Sequence, residues 1–322
     1  MKDNKTELDL NLAVETDLIL NQIVDVSNVR NHSDCFIEKT LNEMCVKLIN
    51  DEEIQKYKPK IGEGTMGKVY KGKYKDNLVA IKQINILKED NIDDQNFLSE
   101  ILNEIKCAHL VQNEYIPKFY GLWINKGRYC LVFEFISGTT LKQKYKDLND
   151  RQKLEVLLQL SKILEIIHSL HLIHRDIKPS NIMITEEMRV KLIDFGVSKI
   201  TQKTETFTIG LSGTTRYTAP EYFQIDKNGS QSIQINNKID IWSTGCLISE
   251  IFSGILPWKN RVGNELQLRK KLMEKTEFPI PEKDIKYVEI IEILKKCLNV
   301  SPEKRVSAEE LTKLLKEKLD NL

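Results

Sequence analysis

The chain has 322 residues, 41% of them hydrophobic, enough for one large core or two modest ones. Its 48 Lys and Arg nearly cancel 47 Asp and Glu, so no overall field draws it to nucleic acid or an anionic membrane, and any anion it binds has to be held by local geometry. The six cysteines are scattered, with no Cys-x-x-Cys and no metal-like Cys/His spacing, which fits reduced thiols in a protein of the cytoplasm or nucleus. Met1 to Asn11 lacks the basic start and apolar core of a signal peptide, and no uncharged apolar run reaches membrane-spanning length.

Residues 1 to about 55 contain neither Gly nor Pro, and over 1 to 50 nine Asp/Glu stand against five Lys/Arg, so this stretch reads as an acidic extension. Ile37, Leu41, Met44 and Leu48 recur at helical steps behind Asp34, a suitable N-cap, and predict a short amphipathic helix that packs on the following domain more readily than on a partner. Leu8, Leu10, Leu12 and Val14 alternate instead, leaving a strand or a disordered start open.

From Tyr57 the pattern changes to short strands. Gly62, Gly64 and Gly67 satisfy a dinucleotide fingerprint, and Gly62 with Gly67-Lys68 nearly satisfies the phosphate-loop motif, but both motifs require a helix to follow. Val69 stands where the second needs a hydroxyl, and Val69, Tyr70 and Val79 to Ile81 continue as strand, so a glycine-rich hairpin fits better. Its unhindered amides suit phosphate oxygens, as they suit any tight turn. Lys82 closes the apolar strand Val79-Ala-Ile-Lys, and an ammonium at the edge of a core needs a carboxylate. The helical stretch from about Asp94 to Leu110 offers Glu100 and Glu104 one turn apart; Glu104 is preferred, since the distance from it to Tyr115-Ile-Pro117 suits a helix, a short loop and another strand.

Tyr129 to Phe135 is a continuous apolar strand ahead of a polar linker, the mark of a lobe boundary. Asn149 or Asp150 then caps a helix with a wide stripe from Leu154 to Leu170, near whose end His168 and His171 read as structural. His174-Arg-Asp-Ile-Lys-Pro-Ser-Asn181 sets a base, two cations and an amide ligand within eight residues: Asp176 can accept a proton, Lys178 can neutralise a phosphate, and Asn181 can ligate a hard cation. A hairpin through Met183 and Val190 leads to Val190-Lys-Leu-Ile-Asp194-Phe-Gly196, whose carboxylate at a strand end suits a divalent cation.

Taken together, Gly62-x-Gly-x-x-Gly-x-Val69, Val79-Ala-Ile-Lys82, Glu104, His174-Arg-Asp-x-x-x-x-Asn181, Asp194-Phe-Gly196 and Ala219-Pro-Glu221 resemble the signature of a eukaryotic-type protein kinase domain of the serine/threonine type. The resemblance continues through Asp240-Ile-Trp-Ser-x-Gly245 and Arg305. It implies an α+β, two-lobed kinase fold over residues 56–320, behind the extension of residues 1–55: a small β-rich N-lobe with one long helix (about 56–135) and a larger, mainly helical C-lobe (about 137–320). It further implies that Ile61, Gly62, Gly64 and Gly67 cover ATP, that Val69 and Ala80 roof the adenine over Met183, and that Phe133 is the gatekeeper with Glu134 to Ile136 as hinge. Lys82, held by Glu104, meets the phosphates, and Asn181 and Asp194 hold Mg2+. Asp176 and Lys178 are the catalytic pair.

Lys178 and Gly213-Thr214 resemble the serine/threonine branch, so protein Ser/Thr hydroxyls are the expected acceptors. Arg175 is the natural receptor for a phosphate placed by an upstream kinase or by the protein itself, with Thr208 or Ser212 as the expected site and Thr214 touching Asp176 and Lys178. Residues 224–238 are expected to form an exposed insert, and Arg305 to pair with Glu221. The competing reading is a pseudokinase that only binds partners, against which stands the presence of Lys82, Asp176 and Asp194.

Overall fold

The computed structural model describes residues 46–64, 67–84, 104–105, 107–108, 111, 113–195, 198–200, 206–207, 215–223, 233–234, 236–259, 262–274, 279, 285 and 287–322. The chain divides into two units, with Pro117–Phe135 and the residues up to Asn113 in the first, and Glu114–Ile116 and everything from Ile136 in the second.

The first unit is a six-stranded sheet of β1 (Leu48–Ile49), β2 (Ile54–Gly64), β3 (Gly67–Tyr74), β4 (Asn77–Ile84), β5 (Phe119–Asn125) and β6 (Arg128–Glu134), in the order β1-β5-β6-β4-β3-β2. All neighbours are antiparallel except β1 and β5. Alternation along the strands sorts apolar side chains to two faces. One carries Val46, Ile84, Leu122 and Leu131 with Ile105; the other carries Ile49, Ile54, Val79, Ile81, Trp123, Cys130 and Val132. Of the helix expected over residues 94–110, Glu104, Ile105, Cys107 and Ala108 are helical and buried, and the others lie outside the described residues.

Two expectations about the extension change here. Leu48, read as the end of a helical stripe, lies in strand β1, and ahead of residue 55 Val46 and Ile49 are buried in the two apolar clusters, Asp51–Glu53 form a short 3-10 turn and Ile54 opens β2. The pairing partner on β5 is more than seventy residues away, so no local period announces it. The remaining extension residues, 1–45, lie outside the described residues.

The second unit is mainly helical. Strands β7 (Gly138–Thr140), β9 (Ile182–Thr185) and β10 (Val190–Leu192) form one small sheet, and β8 (Leu172–Ile173) pairs with β11 (Lys199–Ile200). The helices are α1 (Leu141–Lys144), α2 (Asp150–Ser169), α3 (Lys238–Ser253), α4 (Glu265–Glu274), α5 (Val288–Cys297) and α6 (Ala308–Asp320). Asn149 caps α2 by accepting from the Gln152 amide while the Gln152 side chain accepts from Asn149 N–H, a reciprocal box. Every residue of α3 from Ile239 to Ile251 is buried, which makes it the central helix of this unit. Strand β12 (Thr206–Phe207) pairs with β13 (Ile233–Gln234), so the insert expected over 224–238 contributes a strand to the segment ahead of Ala219-Pro-Glu221.

Candidate active site

In the first unit the glycine-rich stretch is a hairpin, with Gly64 opposite Gly67 and Gly62 opposite Val69; the residues at its tip, 65–66, lie outside the described residues. A β-carbon on Gly67 would stand 2.2 Å from the Gln83 carbonyl oxygen, so only glycine lets β3 begin this close to β4. Ile61 on β2 is 54% exposed. Val69 lies opposite Lys82, and Ala80 opposite Phe133, whose ring packs against Phe119 at 5.2 Å between centroids. The Lys82 ammonium donates to Glu104 Oε1 at 2.6 Å, with side-chain exposures of 13% and 1%. Such a charge-assisted bond gives the ammonium at the strand edge a counter-charge and engages one oxygen, Oε1, of the buried carboxylate. Glu134 is fixed at the end of β6: its N–H donates to Lys118 O at 2.8 Å, and its carboxylate accepts from Lys118 N–H at 3.1 Å. Ile136, the last of the expected hinge residues, begins the long segment Ile136–Leu322 of the second unit.

In the second unit the loop after β8 is held from below by Asp240. Its Oδ2 accepts from His174 N–H at 2.9 Å and from His168 Nε2 at 2.9 Å, and its Oδ1 accepts from Arg175 N–H at 2.8 Å. Burial pushes the Asp240 carboxyl up, but the His168 hydrogen bond, the neighbouring imidazoles and the His174 amide outweigh it and hold the group below the ordinary carboxylate range. Burial also pushes the His174 imidazole down, against the pull of Asp240, Asp176 and Asp194, so this ring is neutral. Asp176 N–H donates to its Nδ1 at 3.3 Å, which leaves Nε2 to carry the proton and donate to Ile193 O at 3.2 Å. The ring also meets Phe195 edge-on at 4.9 Å. One imidazole thus ties the loop of Asp176 to the segment of Asp194.

The Asp176 carboxylate accepts both its side-chain bonds on Oδ2, from Lys178 Nζ at 2.6 Å and from Asn181 Nδ2 at 2.8 Å. Among the described residues Oδ1 accepts none, so one carboxylate oxygen is engaged twice and the other is open. Asn181 spends its second amide hydrogen on Asp176 O at 2.9 Å, so the network fixes the amide with Oδ1 as an open acceptor. Ile193 N–H donates to Asn181 O at 2.9 Å, which places Asp194 one residue from that bond. Asp194 is exposed, and its φ of 67° puts it in the left-handed region, as does the 69° of Arg175. Such backbone in a non-glycine residue costs about 1–3 kcal/mol and is held where the surroundings dictate it. An amide oxygen and a carboxylate are hard donors of the kind Mg2+ takes, so these two residues fit that ion. Met183, half-buried on β9, pairs with Thr140 and Lys191.

Glu221 and Arg305 form the expected pair, doubly bonded at 2.6 and 2.7 Å and buried. Tyr217 donates its hydroxyl to Glu250, and Ser243 Oγ donates to Tyr217 O at 2.8 Å, fastening the segment ahead of Ala219 to α3. Thr208, Ser212 and Thr214 lie outside the described residues. Sequence reading passed over Tyr222, whose hydroxyl accepts from Arg175 Nε at 3.0 Å and leaves the other guanidinium nitrogens without a partner among the described residues. No local pattern marks that tyrosine.

A family model described as the protein kinase domain matches residues 55–315. The chain is 32% identical to serine/threonine-protein kinase dst2 of Dictyostelium discoideum, over 79% of this chain and 22% of that protein. With cyclin-dependent kinase-like 1 of Caenorhabditis elegans it shares 30% identity, over 78% of this chain and 77% of that protein. With serine/threonine-protein kinase KIC1 of Saccharomyces cerevisiae it shares 29%, over 79% and 23%. The chain therefore spans less than a quarter of the length of two of these three relatives.

Proposed function

The chain belongs to the protein kinase family, and from that premise we propose that it is an active kinase moving the γ-phosphoryl group of ATP to Ser and Thr hydroxyls of proteins. The observation that carries this reading is the Asp176 carboxylate, held by Lys178 and Asn181 on one oxygen and open on the other. In the proposed reaction Asp176 takes the proton of the acceptor hydroxyl as its oxygen forms the new bond to the γ-phosphorus. The bond from that phosphorus to the β-phosphate oxygen breaks, and ADP leaves.

Lys178 offsets charge on the group in transit, and Lys82, held by Glu104, does so at the α and β phosphates. Asn181 and Asp194 would hold Mg2+, which when bound neutralises phosphate charge. The hairpin of Ile61 to Val69, with Ala80, Phe133, Glu134, Ile136 and Met183, takes the nucleotide. The chemistry asked of the protein is then mostly positioning and charge.

The Ser/Thr acceptor class rests on Lys178, on Gly213-Thr214 and on the names of the relatives. Control by phosphorylation of Thr208 or Ser212 rests on Arg175, whose guanidinium edge, without a partner among the described residues, suits a phosphate. Incubating the purified full chain with Mg-ATP and a generic protein substrate tests the proposal, with phosphosites read by mass spectrometry. Phosphoserine and phosphothreonine that disappear in Asp194→Asn support it. Phosphotyrosine alone would move the acceptor class, and nucleotide binding without transfer would favour the pseudokinase reading.

A further inference from the structure

Residues 46–54 precede the stretch matched to the family, yet they are built into the sheet that carries Lys82. A single row of opposed residues crosses that sheet from its edge to the hairpin: Leu48, Leu122, Leu131, Lys82, Val69 and Gly62. Val46, 6% exposed, shares one buried cluster with Ile84, Leu122, Leu131 and Ile105, and Leu48 packs against it. Ile105 is the next residue after Glu104. The first residues of the sheet and the helix bearing the Lys82 partner are therefore packed in the same apolar layer.

The segment is anchored at several independent points. Leu122 N–H donates to Lys47 O at 2.9 Å, and Lys47 Nζ donates to the Tyr74 hydroxyl at 2.5 Å. Trp123 Nε1 donates to Asp51 Oδ1 at 2.6 Å, and Lys75 pairs with Glu53 at 3.2 Å. On β5, Gly121 takes φ 148°, and a β-carbon there would stand 2.2 Å from Lys47 O. The strand leaves out a side chain where β1 docks.

We propose that Val46 and Leu48 are positioning residues for phosphoryl transfer, holding the Glu104 helix where its carboxylate meets Lys82. The proposal rests on the reading that the Lys82–Glu104 pair supports transfer. Close packing makes the argument physical: a void beside Ile105 lets the helix shift, and a 2.6 Å charge-assisted bond weakens steeply with displacement. Segment 46–54 thereby makes the acidic extension ahead of it continuous with a structural support of the nucleotide site.

The test compares full-length variants by turnover at saturating Mg-ATP and by hydrogen exchange of the peptide containing Glu104 to Ala108. Val46→Ala and Leu48→Ala should each lower turnover by about tenfold and speed exchange of that peptide. Val46→Ile should restore both. Val132→Ala, the same deletion on the opposite face of the sheet, should keep turnover close to that of the parent. Should Val46→Ala fail to fold, Leu48→Ala, whose side chain is only half-buried, decides. Unchanged turnover and exchange in the deletions, or an equal loss in Val132→Ala, overturns the proposal. Glu104→Gln separates the two levels: full turnover there would overturn the reading of the pair itself, whereas a loss confined to Glu104→Gln would overturn only the role of Val46 and Leu48.

Discussion

Replacing Arg305 by Met asks whether burial, more than distance, sets the strength of an ion pair in this protein. Arg305 meets Glu221 through two bonds of 2.6 and 2.7 Å, and the residues are 2% and 5% exposed. Its remaining donors serve backbone carbonyls, Nε to Asn299 at 2.7 Å and Nη1 to Lys238 at 3.0 Å, and the guanidinium lies 5.0 Å from the Trp242 ring centroid. Methionine fills much of the stem volume but leaves the Glu221 carboxylate buried without a counter-charge. Breaking such a pair from one side costs about 3–5 kcal/mol. The lost carbonyl contacts place this case toward the upper end.

A built-in comparison is the Lys313–Glu309 pair on α6, at 2.8 Å but with side chains 66% and 69% exposed. Lys313→Met should not change stability measurably, since solvent already screens that pair. Urea unfolding followed by tryptophan fluorescence, which reports on Trp242, measures both. The Glu221→Leu/Arg305→Met double variant should recover much of the single-variant loss, because it buries no charge. A loss below about 1 kcal/mol for Arg305→Met, or a double variant whose loss is the sum of the singles, would refute the reasoning.

Lys82→Met should reduce turnover about a hundredfold or more, the usual cost of removing one preorganised charge partner. Circular dichroism should show the fold intact, since Met replaces the lysine stem; an unfolded variant would make Lys82 structural instead. Stability should also depend on pH in a defined direction. The buried His174 takes a proton less readily than a histidine of the unfolded chain, whose ordinary value is 6.5, so stability is full above that pH and is lost as pH falls below it. The slope approaches about 1.4 kcal/mol per pH unit for one proton. His174→Phe should flatten the curve between pH 7 and pH 5.5, and an unchanged slope would place the titrating group elsewhere. Asp240, held below the ordinary range, adds its own loss only at more acidic pH.

Features set by neighbours in sequence were legible before the structure. Val69 and Tyr70 turned the glycine stretch into a hairpin because β-branched and aromatic residues continue a strand. Lys82 at the end of an apolar run demanded a carboxylate, and Glu104 supplies it. Asn149 or Asp150 was expected to cap α2, and the cap is Asn149. Distant pairings left no such trace. Strand β1 is two residues long and docks on β5 through Lys47 O and Asp51, the latter 72 residues from its partner Trp123. Asp240 entered the sequence reading as part of the motif running to Gly245, and nothing local showed that it would hold two backbone amides 65 and 66 residues earlier. The same holds for Tyr222 on Arg175, and for the β12–β13 pairing that involves the insert.

Phosphoryl transfer by Asp176→Asn, set beside the parent chain under saturating Mg-ATP, tests the account most directly. Asparagine keeps the side-chain size and can still accept from Lys178, but it cannot take the acceptor's proton. The parent should phosphorylate protein Ser and Thr, and the variant should bind ATP equally well while turning over roughly a hundredfold to ten-thousandfold more slowly. Equal turnover in the two proteins would contradict the assignment of Asp176 and the mechanism built on it.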